Sequence, residues 1–95
     1  MHIISRKALR LFWERHPDSK GALLRWFKVV RRTRFRNIVE SRGVFPSADP
    51  VDNWIVFNIH GDKYRLVTSI HFNRGKVYVR HVLTHAEYSR RSWKR

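Results

Sequence analysis

The sequence predicts an α+β fold: an antiparallel sheet of three main strands plus a short N-terminal strand, two N-terminal helices packed on one face, and a short C-terminal helix. Two observations predict it. Apolar residues recur at helical spacing from Ala8 to Val30, then alternate from Trp54 onward. And 95 residues with no Cys, no repeat and no Gly/Ser/Pro-rich linker make one domain, residues 1–95, held by packing alone.

The elements follow in order. His2-Ile3-Ile4 is short and β-branched and fits a brief edge strand. Ser5 offers an N-cap, and Ala8, Leu9, Phe12 and Trp13 form the apolar stripe of a first helix. His16-Pro17 ends it, because the residue before proline avoids the α region. Asp18 is the expected cap of a second helix, with Ala22, Leu23, Trp26, Phe27 and Val30 inward and Arg25, Lys28, Arg31 and Arg32 outward. Thr33 to Asp52 reads as an ordered loop punctuated by Gly43, Pro46 and Pro50, with a helical turn over residues 35–40. Trp54–His60 and Tyr64–Phe72 are strands joined by a two-residue turn at Gly61-Asp62, where glycine supplies a positive φ. Val77–Leu83 is the third main strand, and Thr84 caps the short final helix.

Register decides which side chains share a face. Pairing through Gly61-Asp62 sets Phe57 opposite Leu66 and Asn58 opposite Arg65, with Ile55, Phe57, Ile59, Tyr64, Leu66 and Ile70 toward the helices. A loop over residues 73–76 then puts Val77, Val79 and Leu83 on that apolar face, which avoids burying Arg80. The open face displays Asn58, Lys63, Arg65, His71, Tyr78 and Arg80, with His85 and Tyr88 beyond the end of the last strand.

Charge points to a polyanion. The chain carries 21 Lys+Arg against 7 Asp+Glu, a net +14, and such self-repulsion disfavours a compact state unless a partner offsets it. No apolar run approaches the ~20 residues of a membrane span, and no apolar signal-peptide stretch opens the chain, so a cytoplasmic protein with no membrane partner is expected. The open face combines cations, an amide, imidazoles and phenols, the groups that grip phosphate and stack on unpaired bases. Single-stranded RNA therefore suits it better than duplex DNA.

RNA cleavage requires a base for the 2′-hydroxyl, an acid for the leaving 5′-oxygen and cations for the charged phosphorane. His85, Tyr88, Arg65 and Arg80 supply such groups from the chain itself, so no cofactor and no metal is expected. His81 and His85 are four apart but straddle the strand-to-helix switch, and the carboxylates are scattered. Among the other histidines, His81 reads as a core residue, His71 as either a solvated strand end or an RNA contact, and His2, His16 and His60 as surface groups. On residues alone, a nuclease and a non-catalytic RNA binder stand level. A DNA-binding repressor is the weakest reading, since no recognition helix is evident.

The opening MHIISRKAL, FPSAD at residues 45–49, VFNIHGDKYRLV at 56–67 and VYVRHVLTHAEY at 77–88 resemble HigB toxins, the RelE-like toxins of type II toxin–antitoxin systems. The resemblance covers nearly the whole chain. It implies a RelE-like toxin domain and a ribosome-dependent mRNA interferase that cuts mRNA during translation. It further implies neutralisation by a HigA-type helix-turn-helix antitoxin, with operator DNA bound only through the toxin–antitoxin complex. By position, Asn58, Lys63 and Arg65 fall on the RNA face and Arg80, His85 and Tyr88 join them. His85 is then general base or acid, Tyr88 its partner or a stacking group, and Arg65 with Arg80 hold the scissile phosphate. His71 and Tyr78 are further RNA contacts. The hairpin here reads His60-Gly61-Asp62-Lys63 where the family pattern is Gly-Gly-Asn-Lys, and Ser89 stands where an acidic residue commonly follows the tyrosine. Arg25, Lys28, Arg31, Arg32, Arg34 and Arg36 lie away from the open face and are expected to contact ribosomal RNA.

Overall fold

The computed structural model describes residues 1–94; Arg95 of the expected 1–95 domain lies outside the described residues. It contains β1 (His2–Ile4), α1 (Arg6–Arg15), α2 (Lys20–Arg32), α3 (Ile38–Val44), β2 (Asp49–Val51), β3 (Trp54–Ile59), β4 (Tyr64–His71), β5 (Lys76–Thr84) and α4 (His85–Arg90). The strands form one five-stranded sheet in the order β1-β5-β4-β3-β2. The class is α+β as expected, but the sheet is mixed: β1 runs parallel to β5, with Ile3 beside Val77.

Helix boundaries follow the local chemistry. Ser5 and His16 flank α1, and its buried residues are Leu9, Phe12 and Trp13. Asp18 does not cap α2: it sits in a 3-10 turn over Pro17–Ser19, and Ser19 occupies the cap position without a side-chain bond. The expected turn at residues 35–40 is instead α3, which starts two residues after Arg36 because Asn37 accepts the Glu40 N–H at 3.0 Å. β2 was not expected at all; it pairs antiparallel with β3, Pro50 beside Ile55, on the outer edge where proline is tolerated.

The main core lies between the helices and one face of the sheet. Leu9, Phe12, Leu23, Trp26 and Val30 meet Phe57, Ile59, Tyr64, Leu66 and Val77, all buried. Trp26 and Phe57 cross edge to face at 5.5 Å. β3 and β4 pair in the expected register, Phe57 opposite Leu66 and Asn58 opposite Arg65.

The β4–β5 register differs from expectation. The turn is Phe72–Gly75, so Ile70 faces Val77 and Thr68 faces Val79, two residues away from the predicted alignment. Between Val67 and Thr68 the pairing then slips: His81 stands opposite Val67, and Arg80 has no partner. Arg80 is thus the extra residue of a β-bulge, which reverses the alternation beyond it. Val82 takes the core face beside Leu66, while Leu83 and His81 move to the opposite face, contrary to their predicted placement. Arg80 stays exposed as expected, but a bulge keeps it there in place of a longer loop.

That opposite face carries a second, smaller cluster. Val56, Val67 and Trp93 are buried there, with Val51, Trp54, Leu83 and Tyr88 packed around them. Trp93 follows α4, stacks on Tyr88 at 5.2 Å and meets Trp54 at 5.3 Å. Its indole N–H donates to the Tyr88 carbonyl at 2.9 Å.

Gly75 closes the β4–β5 turn at φ +67°, and a Cβ there would lie 3.0 Å from the Arg34 guanidinium. Arg34 in turn donates to the Phe72 carbonyl at 2.5 Å and to the Asn73 carbonyl at 3.2 Å. Gly75→Ala combines left-handed strain with that collision and should cost about 1–2 kcal/mol. Urea unfolding with an unchanged m-value checks it; no shift in midpoint would show the turn tolerates a side chain.

Candidate active site

Three predicted catalytic side chains come together at the end of the sheet where β4, β5 and α4 meet. Arg65 points from β4, opposite Leu83 of β5. His85 and Tyr88 sit on the first turns of α4, where they share a face. The helix starts there because Thr84 accepts the Glu87 N–H at 3.2 Å and Glu87 accepts the Thr84 N–H at 2.9 Å, a complete capping box. That bond to the Thr84 backbone N–H is the main reason the Glu87 carboxyl is held below its ordinary range.

Arg65 Nη2 lies 3.3 Å from His85 Nδ1, and its guanidinium stands 5.5 Å from the Tyr88 ring centre. Since arginine only donates, this contact leaves the imidazole proton on Nε2. Arg65 Nη1 donates to the Asp62 carbonyl and, at 3.3 Å, to the Tyr64 carbonyl. The His85 N–H donates to the Lys63 carbonyl at 3.0 Å, which ties α4 to the β3–β4 turn.

A cleft of about 660 Å³ opens beside this group, lined by Arg65, Tyr88, Asn58 and Val56 on one side and Arg42, Ser47 and Asp49 on the other. The second wall was missed in the sequence, although it includes part of the FPSAD segment. Arg42 is aimed by its bond to the Ala48 carbonyl at 2.9 Å, and Ser47 Oγ accepts the Asn58 N–H at 3.3 Å. Asn58 is exposed at the cleft as expected.

The remaining predicted residues lie elsewhere. Arg80 is not part of the Arg65–His85–Tyr88 group: its Nε donates to Ser69 Oγ at 3.1 Å and its guanidinium covers Tyr78 at 4.9 Å. His71 meets Tyr78 edge to face at 5.2 Å, so His71, Tyr78 and Arg80 form a second cluster on the same sheet face. Between the two clusters sits His81 beneath Trp93, ring centres 6.0 Å apart. Burial, with Arg80 adding to it, pushes the His81 imidazole below its ordinary value, so it is neutral at pH 7.

Lys63 does not join the open face. It lies in the exposed turn and its ammonium pairs with Asp18, as does the Tyr64 hydroxyl at 2.6 Å. The bond from Lys63, then that from Tyr64, holds the Asp18 carboxyl at about 2 against an ordinary 3.8. A depressed carboxylate stabilises the fold fully above its unfolded value and loses that contribution as pH falls through the folded one. Asp18→Asn should therefore flatten the acid limb of the melting-temperature profile between about pH 4 and pH 2. Parallel profiles for the variant and wild type would mean the contact adds nothing to stability.

Of the six helix-side cations, Arg25, Lys28, Arg31 and Arg32 are exposed along α2 without an ion-pair partner among the described residues. Arg34 is spent on the β4–β5 turn and Arg36 pairs with Glu40 at 3.1 Å. Among the described residues no three His, Asp or Glu side chains converge. No helix among them is long and apolar enough to cross a membrane.

A family model for the HigB toxin, described as the RelE-like toxic component of a toxin–antitoxin system, matches residues 19–91. The chain belongs to the HigB toxin family. It is 35% identical over 91 residues to the mRNA interferase toxin HigB of Escherichia coli K12, covering 93% of this chain and 88% of that protein. The mRNA interferase HigB of Shigella flexneri matches to the same extent, and that of Escherichia coli O6:H1 is 30% identical over 93 residues, 95% and 90% of the two chains. The HigB match runs from the turn before α2 to the end of α4 and so takes in both walls of the cleft; β1 and α1 precede it. A HigB toxin is one half of a pair, and an antitoxin is its counterpart.

Proposed function

We propose that this protein is a ribosome-dependent mRNA interferase that cleaves translated mRNA by acid–base catalysis from its own side chains, at the Arg65–His85–Tyr88 cleft. The observation that carries the reading is the Arg65–His85 contact at 3.3 Å on the rim of a cleft lined by Arg42 and Asn58. A phosphate entering the cleft draws Arg65 off Nδ1, because a bidentate guanidinium–phosphate pair is stronger than a bond to a neutral imidazole. Nδ1 is then free to take the 2′-hydroxyl proton. The 2′-oxygen attacks phosphorus, the bond to the 5′-oxygen breaks, and that oxygen leaves with a proton. The products are a 2′,3′-cyclic phosphate and a 5′-hydroxyl. Arg65 offsets the phosphorane charge, and Tyr88 stacks on a base or donates the second proton.

The supporting observations are the net charge of +14, the exposed cations of α2, and relatives named as mRNA interferases. Arg25, Lys28, Arg31 and Arg32 dock on ribosomal RNA; Asn58, with His71, Tyr78 and Arg80 farther along the sheet, contacts mRNA. The partner is a HigA-type helix-turn-helix antitoxin, which carries the operator-DNA contact, and the protein acts in the cytoplasm. The test is primer extension on a reporter mRNA in a reconstituted translation system, with and without ribosomes. Codon-phased cuts only with ribosomes are expected. Translation arrest on intact mRNA would replace cleavage by a binding-type inhibitor.

A further inference from the structure

We propose that Asp18 is a positioning residue for the active site: it pins the tip of the β3–β4 hairpin to the turn between α1 and α2, and main-chain carbonyls of that tip aim Arg65 and His85. The proposal rests on the reading of the Arg65–His85 cleft given above.

The tip has little to hold it otherwise. His60 and Gly61 both adopt positive φ, +55° and +68°. All four residues from His60 to Lys63 are exposed, and the His60 ring does no more than lie over Tyr64 at 6.4 Å with its Nε2 3.9 Å from Asp18 Oδ2. Asp18 meets the tip with both oxygens: Oδ2 accepts from Lys63 and Oδ1 from the Tyr64 hydroxyl at 2.6 Å. Two bonds to adjacent residues restrict rotation as well as translation. The Tyr64 ring is itself lodged against Phe12 and His16, with ring centres 5.1 and 5.3 Å away.

Two carbonyls of the same stretch face the site. Asp62 accepts from Arg65 Nη1, and Lys63 accepts the His85 N–H at 3.0 Å. Lys63 is thus fixed to the helical layer by its side chain while its carbonyl, and that of Asp62 beside it, meets a reacting residue. Arg65 and His85, 3.3 Å apart, have to meet one phosphate and its neighbouring 2′-hydroxyl together, so a small drift of the tip misplaces both. Lys63, with its ammonium on Asp18, orients the site through its backbone rather than contacting RNA through its charge.

Asp18→Asn keeps an acceptor for Tyr64 but loses the charge that holds Lys63; Lys63→Met removes the other half of the pair. Each should lower the saturating cleavage rate about tenfold, as small misplacements at a reacting centre do, while leaving the half-saturating ribosome concentration unchanged. The double variant should lose no more than either single one, because both remove one contact. In the free protein, the His85 imidazole nitrogen resonances should shift in both variants. If Lys63→Met instead raises the half-saturating concentration while Asp18→Asn lowers it, Lys63 is an RNA contact and the proposal fails. Unmoved His85 resonances in both variants overturn it too. That readout needs no turnover, so a wild-type protein that cleaves nothing would remove the nuclease reading by itself.

Discussion

Arg65→Ala and His85→Ala should each reduce cleavage on translating ribosomes by about 10²–10⁴-fold, the range lost when a general acid–base group or a transition-state cation is removed. Both serve the same step, His85 taking the proton as Arg65 offsets the charge that forms, so the double variant should fall no further than the worse single one. Additive losses would mean that the pair does not operate together. Arg80→Ala provides the contrast. Arg80 rests on Ser69 and Tyr78 and is absent from the cleft, so its loss should weaken RNA capture, raising the half-saturating concentration with little change in the saturating rate. A collapse of the saturating rate for Arg80→Ala would place the scissile phosphate nearer the bulge than proposed here.

The largest expected stability effect belongs to Trp93. It is 7% exposed and the central contact of the second cluster, between Tyr88, Trp54 and His81. Trp93→Ala should destabilise the protein by about 3 kcal/mol, the lower end for a buried aromatic, because the residue caps a face rather than filling the main core. Tyr88 also loses its stacking partner, so cleavage should weaken even where the variant remains folded. Trp93→Phe, which keeps an aromatic face, should recover most of both losses. Urea unfolding with parallel cleavage assays checks this, and a Trp93→Ala protein with unchanged midpoint would show the C-terminal segment to be an ornament of the fold.

Much of the architecture was legible because it is encoded locally. Ser5, Pro17 and Thr84 mark helix ends by backbone chemistry, and Gly61 marks a turn that only a few residues accept. The β3–β4 register followed from that turn. What stayed hidden depends on contacts between distant segments. β2 is three residues long and contains Pro50, so neither alternation nor propensity announces it. Its strand character comes from β3. The parallel β1–β5 pairing likewise has no local signature, since the crossover between them spans most of the chain. Trp93 stands alone among charged residues and has no local signal; its role needs Val56 and Val67 beneath it, on the sheet face expected to be open.

The candidate site divides the same way. Arg65, His85 and Tyr88 were found through chemistry and motif, and the geometry brings them together. Arg42, Ser47 and Asp49 were missed because they sit on the far wall, in a segment read as a loop. Alternation places Lys63 on the open face, but it precedes the strand and pairs with Asp18, whose expected place as helix cap Ser19 occupies.

The unpaired residue in β5 makes that strand a reading frame with a built-in insertion. Upstream, Val77 and Val79 are in phase with the core; downstream, Val82 is, and the site resumes three residues later at His85. Removing Arg80 alone would restore the phase of a plain ladder and leave every flanking residue on its present side. Removing Val82 instead would close the ladder only by turning His81 into the core opposite Leu66. A one-residue deletion is therefore admissible at the bulge, where it trades a surface cation against nothing in the core.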